Sequence, residues 1–357
     1  MRTAVARLAA TRIAHPPLLI GLAVLILAEA LLPVLGLLMP IRLLLRGWLA
    51  AFAVWSCIPI GSMTLLLIHR LTGGEWGQAV APVLRPAAML TPLVALALLP
   101  VLLGLRDVYP WAADPSTIPT DVGRWYLNEV AFVIRASMAL AGWSLLAVIF
   151  AAGPGTQLLA GLGLAFFGLT ISLVAVDWYL SLEPHYVATA FAAMIAVQQL
   201  LAALAFAVLI SGPTIDGKVA GDLGGLLIAT LLGVVYLELM TFIVAWYGDL
   251  PDKSAWFIKR ADSGWVAVLI VAILFGAVLP FSMLLIKSIR DSQRGLRIAG
   301  SLILFGTTLH IAWLLVPAFE AQGAIVAVAC AVLAILVLAS LLIGSALQRV
   351  LEASHAE

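Results

Sequence analysis

An all-α, polytopic membrane protein of about ten transmembrane helices is the fold class this sequence predicts, and three observations predict it. Of 357 residues, 64% are hydrophobic and only 10% are charged. Mean hydropathy is +1.16. Apolar runs of about 20 residues, the length needed to cross a hydrocarbon core, recur from end to end with short polar connections between them.

Hydropathy places the spans at 17–39, 47–69, 86–105, 127–150, 157–176, 186–211, 223–247, 265–286, 298–318 and 324–347. The first follows Arg2, Arg7 and Arg12 and contains Ala28-Glu29-Ala30, which mimics a signal-peptide cleavage site. Its apolar run continues through Leu31, Leu32, Val34 and Leu35, which is longer than a signal core and favours a retained helix. The second and tenth spans enclose Cys57 and Cys330, the only cysteines, so neither a disulfide framework nor a CxxC metal or CxxCH haem motif is available. The fourth carries Arg135, the sixth Gln198 and Gln199, the seventh Glu238, and the ninth His310; Pro280 interrupts the eighth.

The 19 basic and 18 acidic residues nearly cancel, and no basic patch suggests nucleic acid. With a cytoplasmic N-terminus, that side holds Arg2, Arg7, Arg12, Arg70, Arg85, Lys218, Lys287, Arg290, Arg294, Arg297 and Arg349. The other side holds Arg42, Arg46, Arg106, Arg124, Lys253, Lys259 and Arg260, so the positive-inside bias predicts both termini in the cytoplasm. The 106–126 and 248–264 loops, the latter with Asp249, Asp252 and Lys253, then join the predicted outer face.

That face also receives Asp177-Trp178-Tyr179-Leu180-Ser181-Leu182-Glu183-Pro184-His185-Tyr186, two carboxylates, a histidine and three aromatics between apolar runs. Asp177, Tyr179, Glu183 and His185 are candidates for a quinone-binding or docking cluster. The alternative is helix capping, since Pro184 suits a first helical position and Glu183 the positive end of a helix dipole.

Ionisable groups inside the spans are few, and each is a functional candidate or a satisfied structural group. Arg135 lies roughly 12 Å into its helix at about 1.5 Å per residue. Glu129 points to a different face, so a carboxylate from another helix or a ligand oxygen is the expected partner. Glu29, Glu238 and His310 sit near the middles of their spans, with Tyr236 close to Glu238. Together Glu238, Tyr236, His310, Glu29 and Arg135 have the composition of a proton relay. Singly, a buried glutamate bonded to backbone, a structural arginine pair and a packing histidine explain them as well.

Function classes narrow accordingly. Only His310 is central, which disfavours a bis-histidine haem. No GxSxG or HExxH pattern appears. An ion-coupled transporter fits the intramembrane carboxylates and the Pro280 interruption. A quinol-interacting redox subunit fits them too, because quinone sites need apolar entry and nearby proton acceptors.

Several separated segments bring the last class forward. They are His69-Arg70-Leu71-Thr72-Gly73-Gly74-Glu75-Trp76-Gly77, Tyr109-Pro110-Trp111, Tyr126-Leu127-Asn128 followed by Phe132, Ile134 and Arg135, the Asp177–Tyr186 cluster, Trp246-Tyr247-Gly248-Asp249-Leu250-Pro251, and Leu279-Pro280-Phe281. In this order they resemble the F subunit of bacterial alternative complex III, within the superfamily of polysulfide-reductase (NrfD-type) membrane subunits. The resemblance implies two four-helix bundles, here 47–176 and 186–318, with flanking helices 17–39 and 324–347, forming one membrane domain. It implies a haem-free subunit that holds no metal or cofactor itself, with quinol as candidate substrate. Its implied partners are iron-sulfur and multihaem cytochrome c subunits and a homologous quinol-binding membrane subunit, in the bacterial inner membrane. Two departures alter any family proton path: His310 stands where a carboxylate precedes an aromatic pair, and Thr241 where a glutamine is common. A transporter and a purely structural subunit are the rival expectations.

Overall fold

A chain this apolar must satisfy its backbone groups internally wherever it meets lipid, and helices do so within one segment. The computed structural model describes residues 2–153, 155–212, 216–248, 250–261 and 264–355, with side chains throughout except at 2–15, 252 and 352–355. Asp249 and the side chains of Asp252, Arg2, Arg7 and Arg12 lie outside the described residues. Among the described residues the regular structure is helical, and ten segments are long and apolar enough to cross a membrane. The protein is a multi-pass membrane protein.

The first two spans are α1 (Arg2–Leu35) and α2 (Ile41–Thr72). The third is built from two helices, α3 (Glu75–Ala88) and α4 (Thr91–Leu103), and therefore starts about ten residues before its predicted bound. Three short helices, α5 (Leu105–Val108), α6 (Pro110–Ala113) and α7 (Thr120–Trp125), lead into α8 (Glu129–Ala152) and α9 (Gln157–Trp178). Then come α10 (Phe191–Ile210), α11 (Gly217–Tyr247) and the short amphipathic α12 (Pro251–Ala261). The eighth span is α13 (Trp265–Ile273), a π-helical turn (Leu274–Val278) and α14 (Leu279–Leu285). The chain ends with α15 (Lys287–Arg290), α16 (Gln293–Leu315) and α17 (Gln322–His355).

Local chemistry fixes the helix starts. Asn128, Thr156 and Ser292 cap α8, α9 and α16 by accepting from the backbone N–H three residues on. The sixth span begins at Phe191 rather than 186, because Tyr186 is taken into a stack on the Trp256 ring, 4.3 Å between centroids.

Packing groups α2, α3/α4, α8 and α9 into one four-helix bundle and α10, α11, α13/α14 and α16 into a second. The bundles join along α2 and α10, while α1 and α17 pack on each other and α17 on α2. Lipid is as apolar as a leucine side chain, so close backbone approach and interhelical hydrogen bonds must hold helices together. Gly61 of α2 provides such an approach, since a Cβ there would overlap the Gln199 carbonyl of α10. Trp48 Nε1 donates to Ala97 O at 2.7 Å and Trp55 Nε1 to Ser340 Oγ at 2.8 Å, tying α2 to α4 and α17.

Because successive spans alternate in direction, one end of the molecule gathers the connections 104–128, 179–190, 248–264 and 316–321. The start of α1 and the end of α17 lie at the other end. The Asp177–Tyr186 segment thus sits where the first bundle hands over to the second.

Candidate functional site

The two carboxylates of the Asp177–Tyr186 segment go to different bundles. Arg135 of α8 grips Asp177 with two bonds, Nε to Oδ2 at 2.7 Å and Nη2 to Oδ1 at 2.9 Å. Its Nη2 also donates to Tyr126 O at 3.0 Å, and its guanidinium lies 4.0 Å from the Tyr126 ring centroid. Arg135 therefore has its partner carboxylate on another helix, with Asp177 only 1% exposed. Paired and stacked in this way, a buried guanidinium is satisfied at each contact.

Glu183 makes the corresponding pair in the second bundle. Arg260 Nη2 donates to Glu183 Oε2 at 2.5 Å, and Lys259 Nζ to Oε1 at 2.9 Å. Arg260 also donates to Trp256 O at 3.2 Å and Leu314 O at 2.7 Å, and lies 3.5 Å from the Trp256 ring centroid. Burial pushes the Glu183 carboxyl up, but the charges of Arg260 and Lys259 outweigh it and hold Glu183 below the usual carboxylate range.

Directly beneath this second pair lies a cavity of about 700 Å³ between α11, α12, α13 and α16. Its mouth is apolar: Val235, Leu239 and Phe242 of α11 face Val266, Ile273 and Val278, and all six are exposed. The gap opens sideways, at the level of the spans. Its floor is set by a second close approach, in which Cβ atoms on Gly276 of the π-helical turn or Gly306 of α16 would overlap the opposite backbone. Single π turns inside α-helices recur at functional sites because they redirect one helical face.

The polar groups of the cavity converge at its inner wall. Gln198 of α10 bonds His310 Nδ1 at 2.9 Å, and His310 Nε2 faces Glu238 Oε1 at 3.7 Å. When the Gln198 amide donates, the ring proton sits on Nε2, aimed at Glu238. His310 stacks on Trp313, which meets Trp256 edge-on, so the histidine connects through two indoles to Arg260. Among the described residues, buried Gln198 Oε1, Trp313 Nε1 and Arg260 Nε have no hydrogen-bond partner, although all three residues line the cavity. Leaving such an atom unsatisfied costs about 1–3 kcal/mol, so turning one of these side chains toward a polar group in the cavity would recover that cost.

Several expectations change against this geometry. The Asp177–Tyr186 segment is not one exposed docking surface: Asp177 and Tyr179 are buried, Glu183 is half-buried in its ion pair, and of the four candidates only His185 is exposed. Tyr236 does not join the relay. It is 60% exposed, because two residues along a helix turn through about 200° and carry it away from Glu238. Glu29 is half-buried on α1 with an unpartnered Oε1 and does not line the cavity. Only Glu238 and His310 of the five relay candidates meet.

The sequence alone presents Arg260 as a loop cation and gives Trp256 and Trp313 no role. The available signal was Trp256 and Arg260 four residues apart, a spacing that places them on one face of α12. Among the described residues no group of three His, Cys, Asp or Glu side chains is arranged to hold a metal ion. No protein-family model matches the chain, and comparison with curated proteins gives no match.

Proposed function

We propose that this protein is a haem-free membrane subunit of a quinol-oxidising electron-transfer complex, and that its second bundle binds the quinol head. The observation that carries this reading is the sideways-open apolar cavity ending on Gln198, His310 and Glu238. A quinol enters from lipid, needs apolar walls for its ring and tail, and releases protons on oxidation. Gln198 Oε1 would accept from one hydroxyl, and Trp313 Nε1 or Arg260 Nε would donate to the opposite oxygen. Glu238 is the proton acceptor, with His310 Nε2–H turned toward it, and Glu183 and the predicted outer face lie beyond Arg260.

The segments that resemble the alternative complex III F subunit support the same reading. They supply its expected setting: the bacterial inner membrane, beside iron-sulfur and multihaem cytochrome c subunits and a homologous quinol-binding membrane subunit, while the positive-inside bias supplies the orientation with both termini cytoplasmic. Electrons would pass to those partners.

A transporter is the second reading, favoured by the π-helical turn and Pro280, which interrupt the span lining the cavity. Isolation from native membranes separates the two. Co-purification with multihaem and iron-sulfur chains, and a roughly hundredfold loss of quinol oxidation in Glu238→Gln with assembly intact, supports the subunit. A single-chain protein that binds a solute, or unchanged oxidation in both Glu238→Gln and His310→Ala, refutes it.

A further inference from the structure

Two backbone carbonyls of the eighth span lose their helix donors. Across Leu274–Val278 the ladder is π-helical, and the Leu279 N–H that closes it donates to Leu274 O, five residues back. In an α-helix that N–H would serve Phe275 O. The donor for Gly276 O would come from residue 280, where Pro280 has no N–H. The Ser282 hydroxyl turns to Val278 O at 2.8 Å, and among the described residues no side chain donates to either carbonyl. The Phe281 N–H is the one backbone donor left within reach, so at least one of the pair is released. The α register that resumes in α14 gives Phe281 N–H to Ala277 O and leaves Gly276 O over.

Gly276 is buried, lines the cavity of the second bundle and lies against Gly306 of α16. Gly306 is four residues before His310, about 6 Å along the helix at about 1.5 Å per residue. Phe275 does not line the cavity; its ring is partly exposed and meets Phe305 edge-on. Backbone that leaves the helix ladder at membrane depth is tolerated where it borders a cavity rather than lipid, which is the position of Gly276. A carbonyl accepts and never donates. It therefore takes the hydrogen of a hydroxyl, whereas a quinone oxygen, itself an acceptor, gains nothing from it. Thr307, beside Gly306, adds a hydroxyl to the same lining. That group can donate to either form of the head, so it does not discriminate between them.

We propose that Gly276 O makes the cavity selective for the reduced head: it accepts from a quinol hydroxyl, so the quinol is held more tightly than the quinone. This rests on the quinol reading above and adds a specificity-determining contact to it. Loss of two electrons and two protons from the head removes the hydrogen from that contact and leaves two acceptors facing each other. The oxidised product is then the weaker ligand and leaves toward the lipid, through the same sideways opening. Pro280, which does not line the cavity, acts by withholding an N–H.

Isothermal titration calorimetry of the purified full chain under anaerobic conditions tests this, with decylubiquinol and decylubiquinone titrated separately. The wild type should bind the quinol roughly tenfold more tightly than the quinone, the worth of one hydrogen bond. Pro280→Ala returns an N–H four residues after Gly276 and should remove most of that preference by weakening the quinol alone. Pro100→Ala, the same change in α4 of the first bundle, should leave the preference as it is. Thr307→Val should leave it as well. Equal affinity for the two forms in the wild type overturns the inference and leaves the quinol reading standing, whereas binding of neither form removes both. An unchanged preference in Pro280→Ala, or equal weakening of both forms, also overturns it, because Pro280 would then only shape the cavity. Loss of the preference in Thr307→Val would move the discrimination to the hydroxyl and overturn it too.

Discussion

The two arginine–carboxylate pairs stand at corresponding places, each just before or just inside the third helix of its four-helix bundle and each lying on an aromatic ring. In both, the aromatic's own carbonyl accepts from the arginine. What lies beneath them differs. Under Arg135–Asp177 the interior is filled by Trp143, Trp178, Phe52, Phe132, Tyr109 and Trp111, all 2% exposed or less. Trp143 Nε1 donates to Thr170 Oγ1 at 2.9 Å and Tyr109 OH to Trp178 O at 3.2 Å, while Trp111 Nε1 and Trp178 Nε1 have no hydrogen-bond partner among the described residues, enclosed by the rings around them. Under Arg260–Glu183 lies the open cavity, walled by exposed apolar side chains. One device closes a bundle and the other roofs a cavity.

The largest expected effect comes from breaking the closed side. Asp177→Ala leaves Arg135 buried without its carboxylate and should cost about 3–5 kcal/mol. It is read as loss of monodisperse protein on size exclusion, with Arg135→Met partly restoring it in the double variant. A stable Asp177→Ala single variant would show that the first pair holds nothing together.

On the open side, Gly306→Val forces the π-helical turn away from α16 and should cost about 1–3 kcal/mol while widening the cavity. The matching change to Gly161, which has open space around it, should leave the melting temperature alone.

Acid should act on the second pair through a defined window. Glu183 titrates lower in the folded protein than in the unfolded chain, so its stabilisation is complete above the ordinary carboxylate value of about 4.3 and is lost as pH falls through the lower folded value. A melting temperature that falls below pH 4 in the wild type, and falls less in Glu183→Gln, supports this. Identical profiles contradict it.

Tyr236→Phe is the smallest change, expected within about 0.5 kcal/mol and without effect on quinol oxidation, because Tyr236 faces away from Glu238. A large loss of activity would restore it to the relay.

Much of the fold was legible because a span needs only length and hydropathy, and both are local. The exceptions are instructive. Arg85 and Pro86 interrupt the hydropathy of the third span and hide a helix that begins at Glu75, and Tyr186 lengthens the apolar run of the sixth although it is pinned to Trp256 by tertiary contact. At the site, Arg135 declared its need for a distant carboxylate, since nothing within its own helix faced it. The pairing of Glu183 with Arg260 was not legible: 77 residues separate them, and the segment's own neighbours offered helix capping as a sufficient account. Tyr236 looked close to Glu238 in sequence, yet two residues are the worst spacing for sharing a helical face.

Binding of a quinone head in the second bundle's cavity is read by tryptophan emission, because Trp246 and Trp313 line that cavity. Decylubiquinone titrated into the purified chain should quench emission saturably. Val234→Phe, which fills the cavity without adding an indole, and Gln198→Leu, which removes the acceptor, should each weaken binding roughly tenfold, about 1.4 kcal/mol, at unchanged melting temperature. Quenching that never saturates, or that is the same in wild type and both variants, would contradict the account.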